Sequence, residues 1–499
     1  MTVVRGAPHE AMMSPHVYTS TQAVLKTQPA LQEQLNMDGK KNIITAPPEV
    51  DWSRQETLPP LVFPPFNYRT EEIVANKPDA EPEVSLPEQF LPPSRIIPEC
   101  RKFLESSCAK LSIPTEALQK FAQSIDIRDL CDVSCAKSSP AGAEKIIVVP
   151  ERDEDVVMPD YDKFETRLND IARILAYNVI NFSFFPDNGK PRWFISDEGE
   201  DDERGEQKFF GKDDEAFAIV EAMKRLEKEV RDSTIWRNGH FLQQITVPHL
   251  ENVFRPAANA GSLPLLPWRM QCLRSLGDCY SNRVSLEKLL EILGEKPTVG
   301  KFVYLLCKHV PAFRDLRRDN IEFAKRPQLA ASMLHADKLV VFSDLNQSLT
   351  VFSDYRLPQL FLTEKVFDFN ISSKTSVGTG TTEDGTMSGS CEEQVQLPSE
   401  KTSTTSSQVK VTKHSTPLLS IIENCEFIPE NSDFEVSLRA GTIVACADLL
   451  ELLRKMHEKE DFENGLNMAN LDYYLWRKAV QLDGEGKLLP FHRTRTYCY

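Results

Sequence analysis

Apolar residues three or four positions apart recur from about residue 96 to residue 479, and this period confines most of the ordered chain to helices. Phe164, Leu168, Ile171 and Leu175 cover one face of a helix predicted from about Tyr161 to Val179. Ala216, Ile219, Met223 and Leu226 do the same from Asp214 to Val230. Two short amphipathic helices precede them, marked by Ile96, Cys100, Phe103 and Leu104 and then by Leu118, Phe121 and Ile125. Leu286, Leu289 and Leu293, then Phe302, Leu305 and Leu306, form a helical pair that Pro311 stops, because proline has no N–H and clashes with the preceding turn. A helix through Ile443, Val444, Ala447, Leu450 and Leu453 reaches about Met456, and Leu471, Leu475 and Ala479 mark the last one. With no hairpin signal and no alternation of strands and helices, the expected fold class is mainly α, a single helical domain of nine or ten helices.

The limits of that domain follow from where the period fails. Residues 1–88 are polar and punctuated by Pro47-Pro48, Pro59-Pro60, Pro64-Pro65 and Pro78. Such a composition buries too little apolar surface to offset chain entropy, so a disordered tail is expected. Residues 372–416 are almost wholly Ser, Thr, Gly, Glu, Lys and Gln and read as a disordered loop inserted in a domain that spans 92–499. The acidic run Ser196 to Glu206 reads as a solvated loop. Asn181, Phe182, Ser183, Phe184 and Phe185 are too aromatic to face water and should line a core or a pocket.

Charge and cysteine usage narrow the chemistry. The chain has 58 Lys and Arg against 74 Asp and Glu, a net charge of −16, which argues against a surface that tracks nucleic-acid phosphates but leaves room for one basic pocket. Eleven cysteines are too sparse, and odd in number, for a disulfide scaffold. Cys131 and Cys135 lack a second pair at zinc-binding spacing, so no metal is expected. The first thirty residues have no apolar secretory core, and no run approaches the roughly 18 apolar residues of a membrane span. A soluble, cytoplasmic, monomeric protein is expected.

No phosphate-binding glycine loop, nucleophile elbow or helical pair of metal-binding histidines is present. The chemically distinctive stretch runs from Val351 to Gln359, where Asp354 sits between Phe352 and Tyr355 ahead of Pro358, a residue suited to the first turn of a helix. Asp354 reads either as the cap of that helix or as a partly desolvated functional carboxylate. Phe323 to Leu329 repeats the design. There Lys325 and Arg326, ahead of Pro327, either make an anion site at a helix N-terminus or are solvated surface cations. Asp472, Tyr473 and Trp476 on the last helix, with His492 and Arg493 in a C-terminal segment expected to dock on the domain, complete the set. These residue types suit a planar hydrogen-bonding ring stacked on aromatics, with a phosphate at its edge.

Six segments in order, Tyr177 to Phe184, Phe323 to Leu329, Phe352 to Gln359, Glu435 to Ala440, Asp472 to Trp476 and Pro490 to Arg495, resemble the queuosine salvage protein family, the queuosine 5'-phosphate N-glycosylases/hydrolases. The resemblance implies a helical fold related to the DNA glycosylases. It also implies hydrolysis of the N-glycosidic bond of queuosine 5'-monophosphate, with release of queuine for reinsertion into tRNA and no metal or organic cofactor. It selects Asp354 as the catalytic carboxylate, and Phe352, Asp472 and Tyr473 as base contacts; Lys325 either holds that carboxylate ionised or contacts the nucleotide. Tyr355, Trp476, Asn181, Phe182, Arg326, His492 and Arg493 are the remaining expected substrate contacts. Arg477 departs from an acidic residue of the family, and a histidine of the family's N-terminal part has no counterpart between Asp126 and Asp160. The expected partner is a small-molecule substrate, without a stable nucleic-acid complex. Two other classes stay open: a nucleic-acid glycosylase, against which the net charge speaks, and a non-enzymatic helical scaffold whose disordered tails recruit partners.

Overall fold

The computed structural model describes residues 60–64, 92–131, 160–187, 189–201, 207–210, 215–315, 317, 321–369, 417–458 and 466–499, all within the compact unit Leu58–Tyr499. The expectations for 1–59, 65–88 and 372–416 lie outside the described residues. Helices α1 (Pro92–Leu104), α2 (Thr115–Gln123) and α3 (Ile127–Cys131) precede the long α4 (Asp160–Ile180) and α5 (Glu215–Val230). The short α6 (Gly239–Gln244) and α7 (Val247–Val253) lead to α8 (Leu266–Asp278), α9 (Leu286–Leu293) and α10 (Val299–His309). Then come α11 (Lys325–Ala336), α12 (Leu345–Ser348) and α13 (Arg356–Thr363), followed by α14 (Pro417–Glu423), α15 (Asp433–Met456) and α16 (Met468–Gly484).

The mainly α class holds. Sixteen α-helices among the described residues exceed the nine or ten expected, mostly because α3, α6, α7, α12 and α14 are too short to carry a periodic stripe. Two further corrections concern segments read as lying outside regular structure. Instead of a loop, β1 (Ile195–Asp201) pairs antiparallel with β2 (Gln207–Phe210), Ile195 opposite Phe210 and Ser196 opposite Phe209. The ladder joins main-chain groups, which an acidic side-chain composition does not remove. Within the expected tail, residues 60–64 pack on the domain. The Leu61 N–H donates to Gln271 Oε1 at 2.9 Å, the Phe63 ring meets Tyr497 edge-on at 5.5 Å, and Arg314 donates to the Pro64 carbonyl at 2.9 Å.

Helix α15 is the axis of one half of the packing. The Ser432 side chain caps it by accepting from the Glu435 N–H at 3.3 Å, Asp433 and Glu435 lie in its first turn, and Arg454 and Lys455 lie in its last, all in the sense that favours the helix dipole. Buried along most of its length, it packs against α1, α2, α13 and α16. Gly441 lets the Leu111 side chain approach closely, since a Cβ there would lie 2.9 Å from it. The other half gathers α4, α8, α10 and α11, with α6 and α7 against α8. The N-terminus of α11 comes from this half and α13, α15 and α16 from the first, so their junction brings together the segments singled out for chemistry. No described helix is long and apolar enough to cross a membrane.

Candidate functional site

The segment from Thr350 to Asp354 enters α13 through three ties, each to a different helix. From α11, Gln328 accepts from the Thr350 N–H at 2.9 Å and donates to its Oγ1 at 3.1 Å. From α16, Asp472 Oδ1 accepts from the Phe352 N–H at 2.7 Å. From α15, Arg439 Nε donates to the Ser353 carbonyl at 3.2 Å, and Ser353 Oγ donates back to the Arg439 carbonyl at 3.1 Å. All five side chains involved are buried, so the hydrogen bonds form with little competition from water and the segment has a fixed path.

Asp354 emerges from this clamp with its side chain 18% exposed. Its Oδ1 accepts from the N–H of Arg356, the first residue of α13, at 2.7 Å, and its Oδ2 lies 3.8 Å from Lys325 Nζ. The cap reading therefore accounts for one oxygen and leaves the other facing a cation. Lys325 itself is buried, and burial lowers its pKa while the charges of Asp354 and Asp472 oppose that shift. Burial pushes the Asp472 carboxyl up to about 7; the Phe352 N–H works against the shift, the charge of Asp354 adds to it, and Lys325 opposes it. The site thus sets a partly exposed acidic side chain, Asp354, beside a buried one, Asp472, whose pKa stands near neutrality.

Aromatic rings flank these groups. Tyr355 packs on Phe491 at 4.8 Å and meets Phe185 edge-on at 5.8 Å. Tyr473 lies nearly parallel to Trp476 at 6.0 Å, and both are half-buried. Phe352 is buried beside Asp354.

Lys325, Phe352, Asp354, Tyr355 and Asp472 are thus gathered at one junction, whereas the Tyr473 ring meets Trp476 and the Arg477 guanidinium on α16. Other expected contacts face inward. The Arg326 guanidinium, expected in an anion site or on the surface, does neither. It donates to the carbonyls of Asn178 (3.3 Å), Val179 (2.8 Å) and Ala312, over the rings of Phe182 and Tyr497. With Arg269, which donates to the carbonyls of Ile180 and Phe182, it satisfies the last carbonyls of α4, which have no partner within the helix. Phe182 is core, packed against both guanidinium groups. His492 is fully buried, with Nε2 3.3 Å from the Tyr499 hydroxyl, and burial together with Arg439 drives its pKa down to about 3. It is a neutral interior group. Asn181 donates to the Tyr177 hydroxyl at 2.9 Å, and the half-buried Arg493 donates to the Pro186 carbonyl at 3.3 Å.

The C-terminal segment docks as expected. Ser183 Oγ donates to the Thr496 carbonyl at 2.7 Å and the Ser183 N–H to the Tyr499 carbonyl oxygen at 2.9 Å. Arg477 is paired with Asp129 of α3 through two bonds of 2.8 and 2.7 Å. Three residues that build the site had not been singled out: Gln328, Arg439 and Asp315. The first two lie inside segments that matched the family, but nothing local gave them a role, and Asp315 lies in none. Among the described residues, no group of three or more His, Cys, Asp or Glu is placed to hold a metal ion.

A sequence model described as queuosine salvage protein matches residues 162–397 and 401–499. Among curated proteins, the chain is 22% identical over 342 residues to a queuosine 5'-phosphate N-glycosylase/hydrolase of Nematostella vectensis, covering 65% of this chain and 81% of that one. It is 24% identical over 274 residues to the protein of the same name from Bos taurus, covering 52% of this chain and 66% of the relative. The Mus musculus protein is 23% identical over 271 residues, with the same coverage of 52% and 66%.

Proposed function

The chain belongs to the queuosine salvage protein family, and on that footing we propose that it hydrolyses the N-glycosidic bond of queuosine 5'-phosphate and releases queuine, with Asp354 as the catalytic carboxylate. The observation that carries the assignment is the division of labour at Asp354: Oδ1 is held by the Arg356 N–H, and Oδ2 is directed at Lys325 beside an exposed edge. Breaking a ribosyl C–N bond builds positive charge on the sugar. A fixed carboxylate beneath that charge stabilises it and orients the attacking water. Lys325 balances the carboxylate in the resting site.

The leaving group poses the second problem. A 7-deazapurine lacks the N7 that ordinary purines protonate, so its departing charge must be met at other ring atoms. Asp472, near half-protonation at neutral pH, has the acidity to donate a hydrogen bond or a proton there. Phe352, Tyr355, Tyr473 and Trp476 supply stacking faces for the ring. The net charge of −16 favours a free nucleotide over a nucleic-acid duplex as the substrate.

The experiment incubates purified protein separately with queuosine 5'-phosphate, unphosphorylated queuosine, GMP and queuosine-containing tRNA, and follows free base by mass spectrometry. Queuine is expected from the 5'-phosphate at the highest rate. Release from intact tRNA at an equal rate would assign the protein to the nucleic-acid glycosylases, and no release from any substrate would leave the scaffold reading.

A further inference from the structure

Behind the site lies a buried ion pair. Arg439 donates to the two oxygens of Asp315 at 2.8 and 2.6 Å, with side-chain exposures of 0% and 3%. Burial opposes ionisation of Asp315, but the charge and hydrogen bonds of Arg439 outweigh it and hold the carboxyl below its ordinary range. Stability alone is a weak reason for such a pair, since well-packed apolar residues often serve as well. Its connections supply a better one. Asp315 Oδ2 accepts from the Lys325 N–H at 3.4 Å, at the first residue of α11. Arg439 Nε donates to the Ser353 carbonyl, next to Asp354, and Ser353 Oγ donates back. The chain of contacts therefore runs Lys325, Asp315, Arg439, Ser353, Asp354, and its two ends face each other across 3.8 Å. The Arg439 plane is itself fixed between the rings of Phe323 at 4.1 Å and Tyr499 at 4.4 Å.

We propose that Arg439 and Asp315 are positioning residues for the reaction: the pair brackets the two helix starts and sets the separation of Lys325 from Asp354. The inference rests on the catalytic reading of Asp354 given above. A planar guanidinium can serve Asp315 twice and Ser353 once in a fixed geometry. A lysine ammonium at the same place cannot. Loosening the bracket leaves the aromatic and polar groups that hold the nucleotide in place and displaces the carboxylate, so turnover should fall while binding persists.

Steady-state kinetics on queuosine 5'-phosphate, with the melting temperature of each variant, test this in Arg439→Lys, Ser353→Ala and the control Arg173→Lys. The control loosens a comparable fork between α4 and α5, where Arg173 donates to Glu227 at 2.7 and 3.0 Å. Arg439→Lys is expected to lower kcat about 30-fold or more and Ser353→Ala about threefold to tenfold, each with KM within about threefold of the parent, as expected for a misplacement of about 1 Å. Arg173→Lys should lower the melting temperature without lowering kcat. A kcat within about twofold of the parent in both site variants overturns the proposal, as does a loss of kcat in the control that matches its loss of stability. If Arg439→Lys does not fold, Ser353→Ala decides. A crystal structure of the folding variant adds a readout independent of turnover: the separation of Lys325 Nζ from Asp354 Oδ2 should move from 3.8 Å, and an unchanged distance counts against the bracket. Full turnover in Asp354→Asn would remove the catalytic reading itself, whereas an inactive Asp354→Asn beside a fully active Ser353→Ala would remove the bracket alone.

Discussion

Helices α11 and α13 begin alike and end up with different duties. Each has proline as its third residue, Pro327 and Pro358, and each has a carboxylate on an N–H of its first turn. On α13 the carboxylate is local: Asp354 accepts from Arg356 two residues on, at 2.7 Å. On α11 it comes from Asp315, ten residues back, at 3.4 Å, while the residue before the helix, Ala324, takes a left-handed φ of +48°. Asp315 is buried, and Arg439 holds both its oxygens. Asp354 keeps one oxygen toward Lys325 at a partly exposed edge. Two carboxylates that each meet an N–H at a helix start thus differ in burial and in what occupies the second oxygen.

The largest expected effect falls on the buried member. Asp315→Asn removes the carboxylate that takes two bonds from the Arg439 guanidinium and leaves Glu435, 3.8 Å away, as its buried counter-charge, so the loss should fall at the lower end of the range for breaking a buried pair, about 3 kcal/mol. Chemical denaturation should register it, and a loss below about 1 kcal/mol would mean that the pair is not closed in solution. Asp354→Asn should do the reverse. Its carboxamide oxygen retains the cap on Arg356, so stability should barely change. Removing the charge should cost on the order of 3 kcal/mol in the barrier, at least about a hundredfold in kcat. Turnover within a few-fold of the parent would leave Asp354 a cap and nothing more.

A third substitution asks whether the neighbour of Lys325 has any part in binding. Arg326→Lys removes a fork that serves three carbonyls and should lower stability by about 2 kcal/mol, with KM for the nucleotide unchanged. A raised KM at full stability would put Arg326 back in the site. The smallest effect on stability at neutral pH is expected from Asp472→Asn, because the native carboxyl, pushed up to about 7, is then only partly ionised. The folded pKa lies above the unfolded value, so the stability this group contributes is complete below about pH 4 and lost as pH rises through 7. The melting temperature of Asp472→Asn should therefore gain on that of the parent from pH 4 to pH 8, and a gap independent of pH would contradict the raised value.

Local periodicity was enough for the longer helices. The stripe through Phe164, Leu168, Ile171 and Leu175 predicts a helix over 161–179 where the structure has Asp160–Ile180, and that from Ala216 to Leu226 predicts 214–230 where it has Glu215–Val230. The hydrophobic period is a property of neighbours three and four apart. The strand pair of β1 and β2 escaped because main-chain pairing is not written in side-chain charge.

Within the site, motif-bearing segments marked Lys325, Phe352, Asp354 and Asp472, but the sequence had no means of linking Arg439 to Asp315 across 124 positions or of giving Gln328 its bond to Thr350. Lys325 and Arg326 are the plainest case. Both are cations ahead of the same proline, which the sequence reads as a helix start, and the structure puts both in the first turn of α11. Successive residues on a helix point about 100° apart, so one side chain can face Asp354 while the next meets the end of α4. The sequence determined the helices and the residues at their ends. Which way α11 was turned, and therefore which cation reached the site, was decided by packing against α4 and α10, because rotation about a helix axis leaves the local hydrogen bonds intact and changes only what the side chains meet.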